Sequence, residues 1–447
     1  MNNLMNKYLK HIGLITLLIT GSLSIINSQL SINNTWNLEK CINYATKNNL
    51  DFKTSQLNLT QIEIQKKQTK YALLPSLSGG ASHGYNWGQK IDPFTNQFAT
   101  DRVRSNSLYL SSNVTLFSGL RNYYLKKKTN SDYLVQKYNN EIQKRNLKIE
   151  VTALFLQALL NQKTIAIANK KLNYSVKQKN RIQILIFQEH KTKYDLYEIE
   201  SQLAMDSLVL VKAKNEYKIS VLQLKQYLSL KKETTFEIDT VFNQKEVSNS
   251  YFKVDYENLI ETNLQKEQQK INTYNLKIAK SGLYPTLSLS ASLGSGYSGN
   301  NKELVGQEYL PKPFDIQLQN NFYQTVTLNL SIPIFNGYQT RTQINSAKIE
   351  IKKAQIQQEK ISLDLENKIE KLKIEIDNLS TQIQSTKIAL FSTQKAFEVA
   401  TLKYESGTIN FYQYSESRNK LFEIQSEYLQ VQFRYSFKVR ILECYSN

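Results

Sequence analysis

Between Ser107 and Phe117 apolar and polar side chains alternate. Leu108, Leu110, Val114 and Leu116 point to one side, and Tyr109, Ser111, Asn113 and Thr115 to the other. The stretch from Thr325 to Phe335 repeats the design, with Val326, Leu328, Leu330, Ile332 and Ile334 set against Thr325, Thr327, Asn329 and Ser331. Period two predicts a β-strand, and about ten tilted residues is the length at which a strand crosses a bilayer. Two neighbouring segments alternate more weakly. After Pro75, Leu77, Ala81 and Tyr85 oppose Ser76, Ser78 and Ser82; after Pro285, Leu287, Leu289, Ala291 and Leu293 oppose Thr286, Ser288, Ser290 and Ser292. Small polar residues on the second face suit a water-filled lumen better than a packed core, which takes branched apolar side chains. Tyr85, Trp87, Phe117, Tyr297 and Phe335 stand near strand ends, as interfacial aromatic girdles do. Read from alternation alone, a pair of soluble hairpins, each with one wetted face, is the competing account.

The rest of the chain is written in helical period. Ala347, Ile351, Ala354, Ile361, Leu365, Ile369, Leu372, Ile376, Leu379 and Ile383 recur at steps of three and four, broken only by Gln358. A mean step of about 3.6 residues predicts a nearly straight helix. Ile349, Ile356 and Leu363 form a second stripe beside the first. One stripe serves a dimer; two call for a neighbour on each side. Glycine and proline are confined to Pro75–Gly119 and Gly282–Gly337, apart from Gly13, Gly21 and Gly407, so helices are expected from Leu120 to about Gln188 and from Tyr338 to about Tyr404. Each would be on the order of 100 Å long.

The chain is also a duplication. Pro75 and Pro285 are offset by 210 residues within similar Leu/Tyr-Pro-Ser/Thr-Leu surroundings, and the Gly119 and Gly337 that follow the second strands are offset by 218. The expected organisation is a signal peptide at 1–28, a first repeat at 29–230, a connecting segment at 231–254 and a second repeat at 255–447. Each repeat runs helix, strand, strand, long helix, return helix. Four strands are too few to close even the smallest membrane barrel of about eight, so other subunits must complete it.

Composition narrows the function. Lys7, Lys10 and His11 precede the apolar run Ile12 to Ile26, the layout of a secretory signal, and no later segment is expected to serve as a transmembrane helix. A mean hydropathy of −0.47 excludes a helical membrane protein. An exported chain with amphipathic strands is a candidate for the outer membrane, where closed barrels satisfy their backbone hydrogen bonds. The net charge of +19 comes mostly from lysines interspersed with Glu, Gln and Asn along helical faces, with no clustered basic patch, so nucleic acid is not an expected partner. Cys41 and Cys444 are the only cysteines; an oxidising compartment permits a disulfide, and spacing neither requires nor forbids it. There is no G-x-S-x-G, phosphate loop, H-E-x-x-H or C-x-x-C, and with three histidines no metal cluster is indicated, so neither an enzyme nor a cofactor is expected.

Trp36 to Leu50, the two proline-led strand starts, Ile332-Pro333-Ile334-Phe335-Asn336-Gly337 and Tyr404-Glu405-Ser406-Gly407-Thr408 together resemble the TolC family of outer-membrane efflux proteins. The loop Trp87 to Phe98 is similar to that of Bacteroidetes-type members. The resemblance implies a mixed α/β membrane protein: a homotrimer with four transmembrane strands per chain in a twelve-stranded barrel, continued as a long α-helical coiled-coil barrel in the periplasm. It implies a passive channel of a tripartite efflux or type I secretion system, with a periplasmic adaptor and an inner-membrane pump docking at the tip. Residues 88–104 and 298–322 would be extracellular loops. At the tip, Tyr404 and Gly407 match the family turn, and Gln413 and Glu416 stand where a pair of acidic residues often lines the aperture. Repeat one has Phe187 and His190 where an aromatic residue and glycine are common, with Asp195 nearby. Glu416 has two readings, a carboxylate ring that attracts cations or a residue on a solvated helix face. A periplasmic coiled-coil scaffold or adaptor remains the alternative function.

Overall fold

Two asparagines start the helical path. Asn37 caps α1 (Leu38–Asn48) by accepting from the Lys40 amide at 2.8 Å, and Asn49 caps α2 (Leu50–Tyr71) by accepting from Phe52 at 2.9 Å. Each satisfies a donor that a helix N-terminus leaves free. The structure, a computed structural model, describes residues 35–96, 98–99, 102–231, 233–239 and 254–446. The expected signal peptide and most of the connecting segment lie outside the described residues.

A short strand, β1 (Thr35–Trp36), precedes α1. After α2 come β2 (Ser76–Asn86), the small ribbon β3 (Lys90–Ile91) and β4 (Phe98–Ala99), and β5 (Val103–Ser118). The long helix α3 (Arg121–Phe187) and its return α4 (Lys193–Tyr227) lead to β6 (Glu237–Ile238), which pairs in parallel with β1. The second half follows the same plan with α5 (Ile260–Ser281), β7 (Thr286–Ser298), the ribbon β8 (Lys302–Val305) and β9 (Glu308–Pro311), a short α6 (Phe314–Asn320), β10 (Tyr323–Ser331), α7 (Gln339–Glu405) and α8 (Phe411–Ser446). Helices α3 and α7 each have 67 residues, about 100 Å at the usual rise, and their first residues are 218 apart, as are their last. Gly119, Gly337 and Gly407 stand within two residues of both starts and of the end of α7, and α3 ends one residue before the expected Gln188 with no glycine or proline beside it.

Four strands form one antiparallel sheet in the order β10, β7, β5, β2. At the sheet-to-helix corner both repeats use two successive left-handed residues, Gly119 with Leu120 and Gly337 with Tyr338, all at φ between 60° and 65°. Gly119 is needed for a second reason: a Cβ there would stand 2.6 Å from the Ser281 carbonyl oxygen.

The structure corrects two readings of the strands and decides the open one of the cysteines. The strand expected to reach Phe335 stops at Ser331, because Pro333 has no N–H to offer the ladder. The register of β5 against β7 shifts between Thr115 and Phe117, so Phe117 rather than Leu116 stands opposite Leu287. Such a bulge carries one extra residue and turns the alternation over. Both cysteines are free, Cys41 buried and Cys444 partly so, and no disulfide joins them.

Apolar burial is distributed along the shaft in separate clusters. One gathers Trp36, Cys41, Val151, Phe155, Leu159 and Leu224 around α1; a second holds Leu365, Ile369 and Leu442; a third closes the far end of the helices around Ile182, Phe397 and Tyr404. Helix α3 does contain a window long and apolar enough to cross a membrane, contrary to the expectation from sequence. Val151, Phe155, Leu156, Ala158 and Leu159 of that helix are buried in the cluster around α1, which is where the hydropathy comes from.

Candidate functional site

The pairing register turns the alternating strands into two unlike surfaces. Ser78, Ser111, Ser292 and Thr325 stand side by side across the four strands, and the next row is Ser76, Asn113, Ser290 and Thr327. Hydroxyls and amides on this face bond to one another: Ser78 Oγ lies 2.9 Å from Ser111 Oγ, Ser82 Oγ 2.9 Å from Ser107 Oγ, and Asn113 Nδ2 donates to Ser290 Oγ at 3.0 Å. None of these rows carries a charge. The opposite face aligns Val114 with Leu289 and Leu328, and Leu287 with Leu330. It is open to the surroundings, with Val326 73% and Leu77 70% exposed. Both outer strands, β2 and β10, keep a free edge.

At the outer end of the sheet the chain folds over the polar face. Asp92 accepts from the Phe94 amide at 2.9 Å and from the Ser298 hydroxyl, while Gln317 accepts from the Ser298 amide at 3.0 Å. Asp92, Ser298 and Gln317 are all buried, so the loop is pinned to β7 and α6 by satisfied polar groups. Arg104 stacks over Tyr297 and Arg102 over Tyr85, so cationic and aromatic side chains pair at this end of the sheet.

The other end of the molecule is a pair of helical turns. In the second, α7 closes with Gly407 at φ +75°, its amide bonding the Tyr404 carbonyl, and the Thr408 amide reaches back to Lys403 at 2.9 Å. Asn410 and Gln413 then cap α8 reciprocally, Gln413 N donating to Asn410 Oδ1 at 3.0 Å and Asn410 N to Gln413 Oε1 at 3.4 Å. The first turn repeats this plan with Glu189 at φ +62°, its amide on the Ile186 carbonyl at 2.9 Å, and with the His190 amide on Leu185 at 2.8 Å. Thr192 and Asp195 form its capping box. The aligned pair in repeat one is therefore Ile186 and Glu189, and the reading from Phe187 and His190 was one residue out. His190 itself is exposed and aligns with Thr408.

The expected site residues divide accordingly. Tyr404 is buried, stacked on Tyr414 with centroids 4.8 Å apart, and the Arg181 guanidinium lies 5.9 Å from its ring centroid. Burial pushes its hydroxyl pKa up. Asp195 is a capping residue; burial opposes ionisation, but hydrogen bonds from Thr192 and Lys191 hold its carboxyl below the ordinary Asp value. Glu416 is exposed on α8 and faces a groove of about 1230 Å³ together with Gln413, Tyr194 and Tyr197.

Three features escaped the sequence. Glu198 lines the same groove as Glu416 and stands 218 residues before it, so the glycine offset applied to Glu416 would have found it. Arg181 bonds both the side chain and the carbonyl of Glu405, at 3.3 and 3.2 Å, joining the end of α3 to the end of α7. Deeper in the shaft Ser175 of α3, Asp206 of α4 and Arg418 of α8 meet: Ser175 donates to Asp206 at 2.5 Å, and Arg418 reaches Ser175 at 2.6 Å and Asp206 at 3.3 Å. Arg418 is 1% exposed, and burial lowers its pKa against the pull of Asp206. No local pattern marks such a triad, whose members come from three helices.

Apolar rows remain uncovered along the shaft. Leu50, Leu57, Ile64 and Tyr71 recur every seventh residue on α2, all exposed. Ile349, Ile356 and Leu363, the second stripe of α7, are between 54% and 67% exposed. Stripes of this kind are seams for neighbouring helices.

Residues 263–438 match the outer membrane efflux protein family. Among solved structures the fold is similar to that of CusC, with a TM-score of 0.78, 15% identity and coverage of 92% of each chain. It is similar to the CmeC outer membrane channel of Campylobacter jejuni, with a TM-score of 0.78, 16% identity and coverage of 92% of this chain and 85% of that one. For the outer membrane protein VceC of Vibrio cholerae the values are 0.75, 13%, 92% and 96%. No curated protein matches the chain by sequence.

Proposed function

We propose that this chain, whose second repeat carries the outer membrane efflux protein signature, is the outer-membrane conduit of a tripartite efflux or type I secretion system. The observation that carries the reading is the sheet. It has one uncharged hydroxyl face, one exposed apolar face and two free edges. Hydrocarbon allows no open edge, so such a sheet is stable in lipid only when copies close it into a barrel. Three chains close twelve strands around the hydroxyl face, and the apolar face meets lipid. The uncovered stripes of α2 and α7 then become seams of a helical tunnel hanging into the periplasm.

In this account residues 1–28 direct export, 29–230 and 255–447 are the two repeats, and 231–254 link them. The turns at 188–192 and 406–410 form the periplasmic tip, where an adaptor and an inner-membrane pump dock. Cargo passes without chemistry. Glu416, joined by Glu198, lines the approach to the aperture.

Fractionation and conductance test the reading. Detergent extraction with outer membranes, a trimer on unheated gels that collapses on boiling, and ion conductance in a planar bilayer are expected. A freely soluble periplasmic species without conductance would instead favour the coiled-coil scaffold or adaptor.

A further inference from the structure

One row of the hydroxyl face differs from all the others. Gly80 of β2, Tyr109 of β5, Gly294 of β7 and Tyr323 of β10 stand consecutively across the four strands. Each tyrosine lies over a neighbouring glycine. A Cβ at Gly80 would come 2.7 Å from the Tyr109 ring, and one at Gly294 would collide with the ring of Tyr323. The same holds one row further out, where Phe94 covers Gly296. The missing side chains let the rings lie along the wall with one face free, and Tyr109 and Tyr323 are 50% and 48% exposed. The rows on the inner side hold only Ser, Asn and Thr, and a cavity of about 590 Å³ lined by Ser82, Phe94, Ser107 and Tyr323 opens on the outer side.

We infer that this row is a binding belt for planar aromatic solutes. Free aromatic faces favour offset stacking, and the neighbouring hydroxyls and amides offer hydrogen bonds to ring substituents. The rows carry no charge to select an ion. The belt rests on the conduit reading for its place in a lumen, since each chain would add its pair of tyrosines to the wall. Its chemistry does not need a closed pore.

Binding of caffeine, a neutral planar solute, to the detergent-solubilised full-length protein tests it by saturation-transfer NMR, with mannitol as the non-aromatic control. Caffeine is expected to bind and mannitol not. Tyr109→Ala with Tyr323→Ala should weaken caffeine about fivefold, the loss of one stacking contact, and Tyr109→Phe with Tyr323→Phe should retain it. Gly80→Val, which lifts a ring off the wall and leaves every tyrosine in place, keeps the question answerable where the alanine variant does not fold; a changed caffeine affinity is expected. Equal caffeine binding in the wild type and in every folded variant overturns the belt. A protein that binds caffeine through these tyrosines yet conducts no ions contradicts the conduit and leaves the belt standing.

Discussion

Glu189 and Gly407 occupy the same position in the two tip turns, both left-handed, at φ +62° and +75°. A glycine adopts this conformation freely, whereas a side chain costs about 1 kcal/mol or more. Glu189→Gly is therefore expected to stabilise the protein by roughly 0.5–1 kcal/mol, and Gly407→Ala to destabilise it by a similar amount or more. Thermal unfolding of the two variants checks the pair; a loss of stability in Glu189→Gly would mean the glutamate side chain has a role its exposure does not suggest.

Asp195 gives the first turn a pH dependence. Its carboxyl is held below the ordinary Asp value by the bonds from Thr192 and Lys191. Its stabilisation is thus complete above about pH 4, the ordinary Asp range, and is lost as pH falls through the lower folded-state value. Asp195→Asn should cost roughly 1 kcal/mol at neutral pH, and the difference from wild type should shrink on acidification below that range. A difference that stays constant down to strongly acid pH would contradict the assignment.

The Ser175, Asp206 and Arg418 contact ties the return helix of each repeat to α3. Asp206 also lies 3.4 Å from Lys171 and accepts from Gln202 at 2.9 Å, so the charge stranded outright is that of Arg418 when Asp206 is removed. Asp206→Leu should cost about 3–5 kcal/mol and Arg418→Met less, while the two combined should cost much less than the single changes added. Denaturant midpoints of the three variants measure the coupling, and simple additivity would refute it.

Burial disfavours the reactive thiolate of both cysteines, most of all that of Cys41. Burial pushes the Cys41 thiol to about 12 and raises that of Cys444 as well. A thiol at such a value is almost wholly protonated at pH 8 and gives little of the thiolate that alkylating reagents require. Iodoacetamide should leave Cys41 unmodified in the native protein and label both residues after unfolding without reductant. Labelling that requires reductant would reveal the disulfide that the structure lacks.

Glu198 and Glu416 share a groove near the tip. On the conduit reading their carboxylates attract cations at the aperture. Glu416→Ala should lower cation over anion selectivity, and Glu198→Ala with Glu416→Ala should lower it further, in single-channel reversal potentials. Unchanged selectivity in both variants would leave the pair as residues of a solvated helix face.

Much of this architecture was legible because its signals are periodic and repeated. The starts of α3 and α7 followed from Gly119 and Gly337 and the end of α7 from Gly407, and the hydroxyl face from strict alternation through Tyr109, Ser111 and Asn113. What was missed lacks a local signal. Alternation continues visibly through Leu116, so the bulge that brings Phe117 opposite Leu287 could not be seen without the partner strand. A left-handed Glu189 carries no glycine to mark it, which moved the tip alignment by one residue. Arg418 finds Asp206 only once three helices are packed. The end of β10, by contrast, was readable in Pro333.

The central claim is that copies of this chain close their four-stranded sheets into one membrane-spanning wall. Single-particle cryo-electron microscopy of the detergent-extracted protein tests it most directly. The account predicts a threefold particle in which β2 of one chain pairs with β10 of the next, a belt of detergent surrounds Leu77, Val326 and Leu328, and the hydroxyl rows face a central bore. A monomer with both sheet edges free, or an assembly whose apolar sheet face lies in solvent, would contradict it.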